Sequence, residues 1–163
     1  IRGESSVNLY IMRHGLAEPA RGRPDQERCL LAEGEAQVLS VANQVLAFSQ
    51  EMPVDLIIAS PYVRTQQSAM VMAKALKAAH SVTTSPLVVP EGDAGKVANY
   101  LSQFGDKNVL LISHMPLVSY LIGYLTTGDT QSFGGLDTAQ LVYLQGDYSA
   151  SGSMREVKTL FPV

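Results

Sequence analysis

The chain reads as an α/β protein: a three-layer α/β/α sandwich with a mostly parallel central sheet, an antiparallel C-terminal edge and no lid insertion. Three observations predict this. Apolar runs of strand length alternate with longer stretches of helical period, the pattern of βαβ units. The last two apolar segments, residues 139–144 and 156–161, alternate around a turn-rich stretch, as half-exposed antiparallel strands do. Finally, 163 residues, 46% of them apolar, suffice to bury one core without staples.

The first strand is read at Val7–Met12, followed by a Pro-, Gly- and Arg-rich loop over Leu16–Arg28. A helix over Glu33–Ser49 carries Leu39, Ala42, Val45 and Leu46 on its inward face, and Pro53 separates it from a buried strand at Val54–Ala59. Ser60-Pro61 has the form of a helix start, serine as N-cap and proline in the first turn, with the helix running to about Ala79. An extended piece, Val82–Val89, leads to Pro90-Glu91-Gly92-Asp93 and a helix over Ala94–Phe104 with Val97 and Leu101 inward. Asn108–Ser113 is the third central strand. Pro116 then opens a helix to Leu125 that is apolar nearly all round and therefore buried. The domain is expected to run from residue 7 to 163, with Ile1–Ser6 set aside as a remnant outside the fold.

A net charge of −3 excludes non-specific nucleic-acid binding, which needs a basic face. No apolar run reaches bilayer length, and no secretory signal is visible. The single cysteine, Cys29, rules out an internal disulfide and is read as an inert packing residue. A cytoplasmic protein without membrane contact is the expectation.

Chemistry concentrates at three strand ends. Arg13-His14-Gly15 closes the first, Ser60-Pro61 with Arg64 comes after the second, and Ser113-His114-Met115-Pro116 closes the third. Carboxyl ends of strands are where open α/β sheets bind ligands, and Gly15 lets the backbone turn and approach one closely. A cation beside a helix N-terminus opposes the helix dipole, so Arg64 is better explained by a bound anion than by folding. Two guanidinium groups would keep His14 neutral and nucleophilic, while His114 would donate to phosphoryl oxygens. His80 is read as solvent-facing, without a role. HExxH spacing, cysteine clusters, P-loops and GxGxxG are all absent, so no metal and no cofactor is expected.

Met12-Arg13-His14-Gly15, Ser60-Pro61 with Arg64, and Ser113-His114-Met115-Pro116-Leu117, in this order, resemble the histidine phosphatase superfamily, the phosphoglycerate-mutase-like fold. Within it the chain looks most like SixA-type phosphohistidine phosphatases. The resemblance spans Leu9 to the closing strands. It implies that His14 takes the phosphoryl group, that Arg13, Arg64 and His114 surround it, and that Gly15 and Arg28 lie at the substrate side. Cys29 and Leu31 stand where that family usually has proline and threonine, which puts the shape of the loop in doubt. Larger members carry a carboxylate that protonates a leaving alcohol; Glu91 and Asp93 are the candidates, and Asp93 also suits a helix cap. The implied partner is a phosphohistidine-bearing protein, such as a histidine phosphotransfer domain. The alternatives are a small-molecule phosphomonoesterase on the same fold and a non-catalytic module that binds phosphate or other oxyanions.

Overall fold

The computed structural model describes residues 7–50, 53–78 and 82–163. Among the described residues ten regular elements succeed one another: β1 (Val7–Arg13), α1 (Ala32–Phe48), β2 (Leu56–Ala59), α2 (Val63–Leu76), β3 (Val82–Thr84), α3 (Ala94–Leu101), β4 (Asn108–Ser113), α4 (Leu117–Thr127), β5 (Leu141–Gly146) and β6 (Met154–Leu160). They build a six-stranded sheet in the order β3-β2-β4-β1-β5-β6. β1 to β4 are mutually parallel, and β5 and β6 add an antiparallel edge beside β1. The fold is the layered α/β architecture expected from the sequence.

The alternating faces of β1 explain the layering. Tyr10 and Met12 pack with Val38, Val41 and Val45 of α1 and with Ala69 and Met72 of α2. Leu9 and Ile11 pack on the other face with Val97 and Leu101 of α3 and Leu121 and Ile122 of α4. Both faces of β1 are thus covered, which is why it reads as a continuous apolar run.

Several boundaries differ from expectation, each for a local reason. On α1 the buried set is Gly34, Val38, Val41, Ala42 and Val45, whereas Leu39 and Leu46 are 47% and 45% exposed. The apolar stripe is displaced because the helix begins at Ala32 and rests its first turn on the chain after β1. That helix stops at Phe48, before Pro53. α2 ends at Leu76 rather than near Ala79, because Lys77 adopts a left-handed conformation with φ 58°. The stretch 82–89 stays extended only through Thr84, then tightens into a 3-10 turn at Pro86–Val88, where Ser85 caps the N–H of Leu87. β5 starts two residues late because Ala139, at φ 60°, turns its N–H onto the carbonyl of His14. β6 starts two residues early, with Met154 opposite Gly146. Cys29 is half-buried on the loop, its sulfur 3.6 Å from the carbonyl of Glu27, and so is not a core packing residue. Residues 1–6 and His80 lie outside the described residues.

Gly34 fixes how α1 meets β1. A Cβ there would lie 2.1 Å from the carbonyl oxygen of Leu16, which already accepts the N–H of Leu31 at 3.0 Å. A glycine-to-alanine change in a helix ordinarily gains up to about 1 kcal/mol. Here the sign reverses, since overpacking against backbone costs about 1–3 kcal/mol. Gly34→Ala is expected to lower the urea midpoint of unfolding, with loss of activity through the displaced segment after His14. An unchanged midpoint would show that the helix start yields freely.

Candidate active site

β1 and β4 lie side by side in the middle of the sheet, and the chain leaves their carboxyl ends toward opposite faces. α1 packs with one core cluster and α4 with the other. This is a topological switch point, where open α/β sheets form a crevice. The register Arg13↔Ser113 places the next residue of each strand, His14 and His114, at its floor. The His14 N–H donates to the Ser113 carbonyl at 3.1 Å, and the two imidazole centroids are 5.3 Å apart at 63°.

The protonation pattern of His14 is set by its neighbours. Nδ1 lies 2.7 Å from the carbonyl of Gly15, which can only accept, so Nδ1 carries the proton. Nε2 is then a lone pair, and it accepts from Nε of Arg64 at 3.2 Å. Burial is the main reason that the ring resists protonation; it outweighs the Gly15 carbonyl, and Arg64, Arg13 and Arg28 add to it, leaving a pKa of about 4. Desolvation therefore leads, and the arginines that the sequence suggested as the cause come second. His114 is lowered further, to about 3, by burial first and then by His14 and Arg64.

Three arginines stand around the pair. Arg13 anchors Nη1 on the carbonyl of Leu136 at 2.9 Å. Arg64, in the first turn of α2 and 4% exposed, donates Nη1 to the backbone oxygen of Asp25 at 2.8 Å and Nη2 to its carboxylate at 3.1 Å. Arg28 ties the same carboxylate from the other side at 2.8 Å and holds the carbonyl of Glu18 at 2.7 Å. The hydrogen bond from Arg28 is the main reason that the Asp25 carboxyl sits below the usual carboxylate range, with Arg64 reinforcing it. Two buried atoms have no protein partner among the described residues: Nε of Arg13, a donor only, and Nδ1 of His114. A buried unpaired polar group costs about 1–3 kcal/mol, and an oxyanion is a ligand that would accept from the Arg13 donor.

Comparison with known proteins places the chain in a family. The family description "Histidine phosphatase superfamily (branch 1)" matches residues 9–87. Phosphohistidine phosphatase SixA of Escherichia coli (strain K12) is 30% identical over 150 residues, 90% of each chain. The chain belongs to branch 1 of the histidine phosphatase superfamily. A SixA homolog of Haemophilus influenzae is 32% identical over 73% of this chain and 77% of its own. The solved structure of the protein histidine phosphatase SixA complexed with tungstate superposes with a TM-score of 0.83 at 29% identity, covering 96% of this chain and 97% of the other. This histidine phosphatase is therefore a SixA homologue.

Of the residues singled out in the sequence, the fold brings His14, His114, Arg13 and Arg64 together. Gly15 gives its N–H to Oγ of Ser68 at 3.1 Å, and a Cβ there would lie 2.6 Å from the Gly34 carbonyl, so close packing accounts for it. Arg28 reaches the site by way of Asp25. Asp93 caps α3, accepting from the N–H of Lys96 at 2.9 Å. Glu91 is exposed, and its charge adds to the burial that pushes the Tyr62 hydroxyl up. Ser60 is not the helix cap: α2 begins at Val63, and the Ser60 hydroxyl instead meets Nε2 of His114 at 2.7 Å. Tyr62 packs edge-on against His114 at 4.7 Å and lies under the Arg64 guanidinium at 5.0 Å. Sequence reasoning missed Asp25 and Tyr62; an acidic residue three before Arg28 was the only signal for the former. No cluster of three or more potential metal ligands occurs among the described residues, and no described helix is long and apolar enough to cross a membrane.

The two depressed histidines make stability pH-dependent. In the unfolded chain each takes up a proton near pH 6.5, whereas in the folded state each stays neutral to about 4 or about 3. The unfolded state then binds more protons, so stability rises with pH through this window and levels off above it. At pH 5 each histidine should cost on the order of 1–2 kcal/mol relative to pH 8. Urea titrations at the two pH values check this, with His14→Ala removing about half of the difference. An equal midpoint in wild type would contradict the buried neutral pair.

Proposed function

We propose that this histidine phosphatase is a protein phosphohistidine phosphatase acting as a single domain over residues 7–163. The observation that carries the reading is the lone pair of His14 Nε2, held by Arg64 in a site where the Arg13 Nε donor and His114 Nδ1 are buried without a protein partner. Nε2 attacks phosphorus while the P–N bond to the substrate imidazole breaks; the electron pair leaves with that nitrogen, which takes a proton from water. Water then attacks the phosphorus of phospho-His14, the P–Nε2 bond breaks, and phosphate departs. Arg13, Arg64 and His114 hold the phosphoryl oxygens as charge builds. The residues needed are all side chains of this protein, so the reaction proceeds without a metal.

Leaving-group chemistry supports an N–P substrate. The carboxylate bound to Arg64, that of Asp25, is held ionised by two guanidinium groups and cannot donate a proton at neutral pH. Imidazole is a weak base and leaves readily, whereas an alkoxide needs an acid. The likeness to SixA supports the same substrate class, for which a histidine phosphotransfer domain is the natural partner. One observation favours a small-molecule phosphomonoesterase instead: Glu91 lies close enough to perturb Tyr62, which packs on His114.

A single comparison separates the two. Phosphate release is measured from a phosphorylated histidine phosphotransfer domain and from a panel of sugar phosphates, with wild type and with E91Q/D93N. The expected pattern is faster release from the protein, little changed by the double substitution and by EDTA. Loss of roughly 10²–10⁴-fold on every substrate in the double variant would install a necessary acid and favour the phosphomonoesterase. Loss on adding EDTA would end the metal-free mechanism.

A further inference from the structure

The buried hydroxyl of Ser60 lies outside the catalytic set, yet its hydrogen bonds constrain a member of that set. A serine hydroxyl has one proton to give and two lone pairs. Oγ of Ser60 already accepts the N–H of Tyr62 at 3.1 Å, and its other contact is Nε2 of His114 at 2.7 Å. Ser60 is 0% and His114 1% exposed, so water does not compete for either.

Two arrangements fit a contact of 2.7 Å. If Nε2 carried the proton, the Ser60 hydroxyl hydrogen would need a different acceptor in this dry region. Nδ1 would then be a bare lone pair on a ring that feels the charges of Arg64, Arg13 and His14. If Nε2 accepts, the hydroxyl hydrogen is used, and Nδ1 carries the N–H. Because Nε2 is committed to Ser60, Nδ1 is the one polar atom of His114 left to meet a ligand, and it is buried without a protein partner. A lone pair there would repel a phosphoryl oxygen, whereas an N–H would bind it.

We infer that Ser60 is a positioning residue: by donating to Nε2 it fixes His114 as the Nδ1–H tautomer and turns it into an oxyanion donor. The two histidines of the site are then set in opposite tautomeric roles by different partners. The Gly15 carbonyl accepts from Nδ1–H of His14 and leaves Nε2 as the lone pair, which Arg64 holds until it attacks. The Ser60 hydroxyl fills Nε2 of His114 and leaves Nδ1–H free to bind. A group that locks the remote nitrogen of a functional imidazole in this way is a recurrent device. The inference rests on the reading of the site as a phosphoryl pocket, but not on phosphohistidine as its substrate.

The test uses the intact protein with ¹⁵N-labelled histidine and tungstate as the oxyanion probe. Two-bond ¹H–¹⁵N correlation spectra at pH 7 assign the tautomer of His114, and calorimetry gives the tungstate affinity. Wild type is expected to show Nδ1 protonated. Ser60→Cys fills nearly the same volume with a far weaker donor and should mix the tautomers and weaken tungstate roughly tenfold, within the range seen when such an outer group is lost. Ser60→Ala should do the same, and Ser60→Thr, which keeps the hydroxyl, should restore both. A wild-type spectrum with Nε2 protonated overturns the inference even if every variant fails to fold, as does an unchanged tautomer in the cysteine variant. Absence of phosphohistidine turnover with the expected tautomer and tungstate affinities would defeat the proposed substrate class and leave the role of Ser60 standing.

Discussion

Replacing His14 with alanine is expected to remove turnover altogether while leaving the fold in place. The imidazole stands at the end of β1 with Nδ1–H donating to Gly15 and Nε2 as the lone pair beside Arg64. His114 cannot substitute, because its Nε2 is taken by Ser60. The rate should fall by roughly 10⁴–10⁶-fold, the scale on which an enzyme loses a nucleophile. The apolar clusters stay intact, so the stability cost at neutral pH should stay near the about 1–3 kcal/mol of leaving Nε of Arg64 without its partner. Rapid-quench trapping with ³²P-labelled substrate checks it directly. Acid-labile label should accumulate on the wild-type protein and vanish in the variant. Label retained at wild-type levels would move the nucleophile elsewhere.

Why these residues could be found in the sequence, and others not, is a matter of how far each contact reaches along the chain. Arg13-His14-Gly15 and Ser113-His114 were legible because a strand end is a local event: an apolar run stops, and the residues beyond it stand at the sheet edge. The antiparallel edge was legible for the same reason, through its alternation. Asp25 was not, because its partner Arg64 lies 39 residues away, and its spacing of three from Arg28 says nothing of a helix start. Ser60 shows the opposite failure. Locally it has the form of an N-cap, and it does accept an N–H two residues on, but its shortest bond crosses 54 residues to His114. The inward face of α1 was misjudged because Leu39 and Leu46 are more hydrophobic than Gly34, whereas close approach of the helix start to the Leu16 carbonyl selects the smallest residue. Tertiary packing decides such positions over hydropathy.

Arg64 should give the second-largest effect and the more discriminating one. Its guanidinium makes three directed bonds at once, Nε to His14 at 3.2 Å, Nη1 to the Asp25 backbone at 2.8 Å and Nη2 to the Asp25 carboxylate at 3.1 Å. Of five N–H donors this leaves one on each terminal nitrogen for phosphoryl oxygens. Arg64→Ala removes the donors and also the tether of the 3-10 turn Asp25–Glu27, so kcat should fall and KM rise together. A loss of about 10²–10³-fold in kcat is the cost of deleting an oxyanion donor alone. Arg64→Lys restores a charge but not the planar fork, and a lysine ammonium cannot hold His14, Asp25 and an oxyanion in their separate directions. The lysine variant should therefore recover no more than about tenfold of the loss, mostly in KM, because a point charge attracts the dianion without fixing it in line with Nε2. Steady-state kinetics on both variants decide the matter. Full activity with lysine would mean that charge alone suffices and that the three-way fork is incidental; a fall in KM in the alanine variant would mean that the Arg64 guanidinium contributes nothing net to substrate binding.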